Sequence, residues 1–257
     1  MLDREQGAAF TVRTTIAMAL LAAVASSAAG PPAEQSSPGT LSVGTPMNGS
    51  LERGEVLPRR GSGYRMMSTT RQRRARFGVH ELVMLIKWAA HRVYARHPGS
   101  TLMVGDLSVR KGGPIEHHGS HQNGRDVDFA FYMIDGDGEP VTRESFVAFD
   151  ANGFSVDPPM RYRFDTERNW ALVRELLQSD SAVVQWIFIA DHLEDLLLAH
   201  AEEAGESPLL RRRAEHVLHE PTGKSHWDHF HVRIYCPPDD GPRCSDVGPR
   251  WAWTRRP

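Results

Sequence analysis

The sequence predicts an α+β fold in which a small central antiparallel sheet carries a metal site and is flanked by helices. Two observations predict this class: strand-like segments lie far apart in the chain, and segments with helical periodicity separate them. A third is bulk composition, because 257 residues with 40% hydrophobic side chains can bury a sizeable core.

The first residues have the order of a secretory signal. Arg4 and Arg13 precede a short apolar run over residues 15–25, and small residues follow up to Gly30. The run is shorter than the roughly 20 apolar residues that a membrane span needs. We therefore expect a signal peptide over residues 1–29, export to the periplasm and no stable membrane anchor after cleavage; an uncleaved N-terminal anchor is the alternative.

Residues 30–60 are rich in Pro, Gly, Ser and Thr and show no apolar period, which predicts a flexible linker. One domain is then expected over residues 61–257. The formal net charge of −2 gives no long-range attraction to nucleic acid, so no nucleic-acid partner is expected. Two basic runs, residues 71–76 and 211–213, are interpreted as solvated surface, with attraction to an anionic cell envelope as the alternative.

Within this domain, apolar periodicity predicts the elements in order. Helices are expected over residues 79–96, 167–178, 191–204 and 208–218, with Asp191 as the N-cap of the third and Gly205 beyond its end. Strands are expected over residues 101–109, 126–132, 183–189 and 225–235.

The last predicted strand carries histidines at positions where ordinary solvent-exposed polar residues would be expected. Because side chains alternate along a strand, one face holds His229, His231 and Arg233 and the other holds Phe230, Val232 and Ile234. The apolar face suits a core. The two histidines lie roughly 6–7 Å apart along the strand, so one can bind a metal while the other reaches a water on it.

A second polar segment, residues 117–128, precedes and enters the strand predicted at 126–132. His121 and Asp128, met by His231 from a neighbouring strand, make a His₂Asp set with an open position, which is typical of catalytic zinc. Such a zinc lowers the pKa of its water to about 7 and polarises a carbonyl. Asp126 is an alternative ligand to Asp128, and His118 could instead simply hydrogen-bond the loop.

These segments resemble a known family. SHQNGRDVDF and HWDHFHVRIYC, with GDLSVRKGGPIEHHG upstream, resemble the penicillin-insensitive murein endopeptidases, within the zinc peptidases that include lysostaphin-like and D-Ala-D-Ala peptidases. The resemblance covers roughly residues 61–245. It implies an exported zinc metalloendopeptidase that acts on peptidoglycan, hydrolysing the D-alanyl–meso-diaminopimelyl cross-link by a zinc-activated water.

The resemblance also implies roles for individual residues. His121, Asp128 and His231 would be zinc ligands, His229 the catalytic base or transition-state stabiliser, and His226 a further active-site histidine. His118 matches an additional histidine that contributes to a second metal in some members, and the other ligands of such a site are not identifiable in this sequence.

The only two cysteines, Cys236 and Cys244, stand eight positions apart just after the histidine strand. In an oxidising compartment this spacing predicts a disulfide, and the resemblance includes a cystine with nearly the same loop. Two alternatives to the endopeptidase remain at this point: a D,D- or L,D-carboxypeptidase that trims stem peptides, and a cell-wall-binding module without turnover.

Overall fold

The computed structural model of the chain describes residues 39–156, 162–223 and 225–254. The helices are α1 (Ser68–Arg73), α2 (His80–Arg96), α3 (Thr166–Gln178), α4 (Asp191–Glu203) and α5 (Pro208–Val217). The first strands are β1 (Leu41–Thr45), β2 (Asn48–Glu52), β3 (Glu55–Val56), β4 (Arg60–Gly61), β5 (Tyr64–Met66), β6 (Phe77–Gly78) and β7 (Leu102–Val104). The later strands are β8 (Asp126–Ala130), β9 (Met133–Ile134), β10 (Pro140–Val141), β11 (Arg163–Phe164), β12 (Val184–Phe188), β13 (Leu218–His219) and β14 (His229–Ile234).

The central sheet has seven strands in the order β13-β12-β14-β8-β7-β5-β4. The pairs β12–β13 and β5–β7 are parallel and the remaining neighbours are antiparallel. The α+β class is therefore confirmed, although the sheet is larger and less uniformly antiparallel than the sequence predicts. β8 and β14 lie side by side in the middle of it.

The register of these two strands brings the two polar segments together. His231 lies opposite Asp128 and Arg233 lies opposite Asp126. On the other side of β14, Phe188 of β12 lies opposite His231. The predicted alternation of faces along the histidine strand is confirmed, because Phe230 and its apolar neighbours are buried in the core that the helices share.

Most predicted elements match the structure, with three local errors. Asp191 is the first residue of α4 rather than its N-cap, and Ala190 takes the cap position without a side-chain bond. The strand predicted over residues 101–109 ends at Val104, although Gly105 and Asp106 still hydrogen-bond to the backbone of Asp128. The strand predicted over residues 225–235 begins only at His229. All three errors concern the ends of elements, which packing decides.

The linker predicted over residues 30–60 is wrong for its described part, residues 39–60, which contains β1 to β3 and the first residue of β4. The hairpin β1–β2 is held by distant backbone: Gly44 donates to the carbonyl of Arg243 at 2.8 Å, and Gln122 donates to that of Pro46 at 3.0 Å. These distant partners order the segment although its composition shows no apolar period, and Leu51 and Leu57 are buried in the core. The predicted signal peptide, residues 1–29, lies outside the described residues.

The predicted disulfide between Cys236 and Cys244 is present. The chain just after the loop that it closes is tied to the sheet by Arg125, which is fully buried and donates to Asp246 at 2.7 Å and to the carbonyl of Ser245 at 2.9 Å. Among the described residues, no helix combines the length and the apolar character that crossing a membrane requires.

Candidate metal centre

The polar side of β8 and β14 opens into a cleft of about 600 Å³. Loops before β8, before β14 and after β7 supply its walls, and α1 supplies one end. Its described lining includes five of the six residues singled out in the sequence, namely His118, Asp128, His226, His229 and His231. The sixth, His121, is fully buried directly beneath them.

Asp128 lies at the centre of the histidines. Its Oδ1 is 3.2 Å from Nε2 of His121, 3.7 Å from Nε2 of His229 and 3.8 Å from Nδ1 of His231. Its Oδ2 is 3.7 Å from Nδ1 of His118. The predicted site residues thus come together around one carboxylate, and the tightest His and carboxylate group among the described residues is His118, His121 and Asp128.

The outer nitrogens of His118 and His121 are held by the chain after β7. Nε2 of His118 bonds Oδ2 of Asp106 at 3.0 Å, and Nδ1 of His121 bonds the carbonyl of Leu107 at 3.1 Å. Since neither oxygen is a donor here, each ring donates from its outer nitrogen. The inner nitrogens face Asp128, so each ring is held from its outer side, as in the outer-shell hydrogen bonding of metal-bound histidines.

The histidines of β14 follow the same rule. Nε2 of His231 bonds Oδ1 of Asp126 at 3.1 Å, and Nδ1 of His229 bonds Oδ1 of Asp228 at 2.5 Å. Each ring again presents its second nitrogen to the centre. Four histidines are therefore oriented from outside and face the carboxylate of Asp128.

Two atoms at that point show that the donor set fits a metal ion. Nε2 of His121 and Oδ1 of Asp128 are fully buried and make no hydrogen bond with any described residue. They lie 3.2 Å apart but are too poorly aligned to bond each other. Because unsatisfied buried polar atoms are costly, a cation held by nitrogen and oxygen is the partner that this pair calls for.

Asp126 and Asp128, the two alternative ligands, differ in their hydrogen bonds. Both oxygens of Asp126 are engaged: its Oδ1 accepts from Arg233 at 2.6 Å and from His231, and its Oδ2 accepts from the backbone of His121 at 3.1 Å. Asp126 therefore orients other groups, while Asp128 keeps an oxygen that no hydrogen bond occupies.

The surroundings of Asp128 and His231 favour the protonation states that metal binding requires. Burial alone would raise the pKa of Asp128, but His121, His229 and His231 hold that pKa well below its ordinary value. Burial lowers the pKa of His231 to about 4, against the opposing effect of Asp126. Burial also acts to lower the pKa of His121 and His229, yet Asp128 outweighs it in both and their pKa values are raised. Asp128 is thus an anion and His231 a neutral ring, the forms that metal binding requires.

His226 and Phe146 complete the wall beside His229. The His226 ring lies on the loop before β14, 5.2 Å from the His229 ring and 5.8 Å from the His231 ring. Phe146 stacks on His229 at 4.5 Å with an interplanar angle of 16°. These contacts leave little freedom for the His229 ring.

Sequence reasoning missed Asp106 and Asp228 as orienting groups. Asp106 is 3% exposed and stands in the otherwise apolar segment MVGDLSV, where a carboxylate is a recognisable signal. Asp228 immediately precedes His229, and nothing in the local pattern distinguishes it from an ordinary loop residue.

Oriented histidines and one carboxylate, without thiolates, around an open cleft define a candidate metal centre of the catalytic rather than the structural kind. A sequence model of the family described as penicillin-insensitive murein endopeptidase matches residues 42–251. The chain belongs to this peptidase family.

Individual relatives agree with this assignment. A penicillin-insensitive murein endopeptidase of Salmonella arizonae is 29% identical over 208 residues, which cover 77% of this chain and 67% of that protein. A protein of the same name from Klebsiella pneumoniae is 38% identical over 120 residues, which cover 45% of this chain and 43% of that protein. The family match begins at residue 42, within β1, in agreement with an ordered hairpin there.

Proposed function

We propose that the chain is an exported zinc metallopeptidase that hydrolyses peptide cross-links of peptidoglycan at the D-alanyl–meso-diaminopimelyl bond. Membership of the murein endopeptidase family and the names of the relatives support the reaction and the substrate. The predicted signal peptide supports a periplasmic location. The observation that carries the proposal is the convergence of four oriented histidines on Asp128.

Zinc fits this donor set through His121, Asp128 and His231, with His118 as a further ligand. The orphaned atoms of His121 and Asp128 are the core of the site. When bound, zinc supplies a Lewis acid that polarises the scissile carbonyl and acidifies water. Asp106, Asp126 and the carbonyl of Leu107 keep the ligand rings in place through their outer nitrogens.

His229 is proposed as the catalytic base. Its Nε2 faces the centre while Asp228 holds Nδ1, so the ring can take a proton from the attacking water at Nε2 and return it to the leaving amine. Asp228 stabilises the charged imidazole that forms in between. His226, beside His229 in the same wall, is proposed to donate to the oxyanion that develops on the carbonyl.

The decisive experiment digests purified sacculi with the protein, with and without a chelator, and identifies the products by mass spectrometry. We expect conversion of cross-linked dimers to monomers, abolished by the chelator and restored by zinc. Loss of a terminal D-alanine with intact dimers would instead indicate a carboxypeptidase. Binding to sacculi without any product would indicate a non-catalytic module.

Two variants test the division of roles between neighbouring histidines. His231→Ala should lose zinc and turnover together, whereas His229→Ala should keep zinc near one equivalent and lose about 10²- to 10⁴-fold in kcat, the usual contribution of a general base. Metal analysis and kinetics on both variants provide the readouts. Equal zinc loss in the two variants would contradict the assignment of His229.

A further inference from the structure

The metal cleft contains an arginine that the proposed mechanism does not use. Arg73, the last residue of α1, lines the cleft, and its side chain remains 36% exposed. Its Nη1 donates to Oδ2 of Asp106 at 2.7 Å, and no other hydrogen bond of the guanidinium is found with the described residues. One edge of the guanidinium is anchored, and the other donors remain available to a ligand.

The second arginine of the cleft differs from Arg73 in both exposure and bonding. Arg233 is buried, its Nε donates to Oδ1 of Asp126 at 2.6 Å, and its guanidinium lies 5.4 Å from the centre of the Phe188 ring. Its charge is therefore matched inside the protein. Among the described residues that line the cleft, Arg73 is the permanent cation that still faces solvent.

Arg73 also lies close to the proposed reaction centre. Oδ2 of Asp106 bonds both Arg73, at 2.7 Å, and Nε2 of His118, at 3.0 Å. The guanidinium is thus separated by one carboxylate from a ring that faces Asp128. In the proposed substrate, the carbon that carries the leaving amine also carries a carboxylate, three bonds or about 4 Å from the scissile carbon.

We infer that Arg73 binds the carboxylate on the carbon that carries the leaving amine. An arginine fork can hold one carboxylate while its remaining donors hold another, and such charge-assisted pairs are both strong and directional. Arg73 would thereby place the leaving amine against His229 and select substrates that carry this charge. The inference rests on the proposed function and deepens it by naming the substrate group that is recognised.

The carboxylate has two possible sources, a diaminopimelyl residue in a cross-link and a terminal D-alanine in a pentapeptide stem. Both are tested with the zinc-loaded protein: a cross-linked dimer with a free carboxylate at this position, the same dimer with that carboxylate amidated, and an uncross-linked pentapeptide. We expect the wild type to cleave the free dimer with a kcat/KM about 10- to 100-fold above the amidated one, the usual effect of a charge-assisted hydrogen bond. Cleavage of the pentapeptide would assign the same contact to a terminal D-alanine.

Substitution of Arg73 should remove the preference itself. Arg73→Met is expected to lower kcat/KM for the free dimer by about 10- to 100-fold and leave the amidated dimer nearly unchanged, while Arg73→Lys retains part of the preference. A purely structural role through Asp106 and His118 would slow both substrates equally. Arg74→Met removes the neighbouring exposed charge outside the cleft lining and should leave the ratio as in the wild type.

A binding measurement separates this inference from the proposed function. Calorimetry with the free acceptor tripeptide and its amidated form should show the same preference in the wild type and its loss in Arg73→Met. If neither dimer is cleaved but this binding preference appears, the hydrolase assignment fails and the recognition by Arg73 stands. A wild type without preference for the free carboxylate, or an Arg73→Met variant that keeps it, would overturn the inference.

Discussion

The paired strands β8 and β14 form one ladder with two faces, and these faces are stabilised in opposite ways. On one face, Phe129 and Phe230 are fully buried and pack without polar partners. On the other face, Asp126 and Asp128 are just as buried but are surrounded by histidine and arginine donors. The apolar face supplies stability that is indifferent to metal, whereas the polar face depends on what occupies its centre.

The largest effect that sharpens this comparison is expected on the apolar face. Phe230 is fully buried and packs edge-on against Phe131 at 4.7 Å, so Phe230→Ala should reduce the free energy of unfolding by about 3–5 kcal/mol. Denaturant unfolding in the presence of a chelator measures this loss. At low temperature, the Phe230→Ala molecules that remain folded should still bind one zinc. If the variant instead lost zinc but kept its stability, the assignment of stability to the apolar face and of metal binding to the polar face would be wrong.

On the polar face, the orienting carboxylates should matter for the metal more than for folding. Asp106→Asn should weaken zinc binding by about 10- to 100-fold, since it disturbs the partner that holds the outer nitrogen of His118. Competition with a chromophoric chelator gives the affinity. Asp240→Asn is the matched control, because Asp240 is equally buried at 3% exposure but holds the backbone of Ser42 far from the cleft. If zinc affinity fell equally in both variants, the loss would reflect reduced stability of the fold rather than the orienting role of Asp106.

The smallest expected effect is on stability and concerns Glu194 on α4, a partly buried carboxylate that lacks, among the described residues, cationic partners like those of Asp126 and Asp128. Burial, followed by repulsion from Asp191, Asp195 and Glu215, raises the pKa of Glu194 on α4 from 4.5 to about 7. Below pH 4.5 the group is protonated in both the native and the unfolded state, and its neutral form suits the native site. As the pH rises through about 7 the native carboxyl must ionise, so this contribution to stability is lost.

Glu194→Gln should therefore match the wild type in stability near pH 4.5 and exceed it above pH 7. The gain should stay under about 1 kcal/mol, because the group is partly solvated. Melting temperatures at pH 5 and pH 8, taken with a chelator, measure it, with the exposed Glu203→Gln on the same helix as control. If the melting temperatures of Glu194→Gln and the wild type differed by the same amount at pH 5 and at pH 8, the role of Glu194 would be contradicted.

Much of the fold and of the site could be predicted because their signals are local. The helices follow from apolar spacing, and the faces of β14 follow from alternation. The hairpin β1–β2 was missed because its order comes from Arg243, Gln122 and Asp240, all distant in sequence. Asp106 was missed as a site residue for a related reason: its hydrogen bond to His118, twelve positions further on, is made only by the fold.

The sequence alone determined which residue types share each strand face, because strand periodicity is written in consecutive residues. Through the family motifs it also predicted the six side chains of the candidate centre. Only the tertiary structure decided that Asp126 orients and Asp128 remains open, and that Arg73 faces the same cleft. These outcomes depend on hydrogen bonds between residues far apart in the chain, and a buried carboxylate takes its role from whichever donors the fold brings to it.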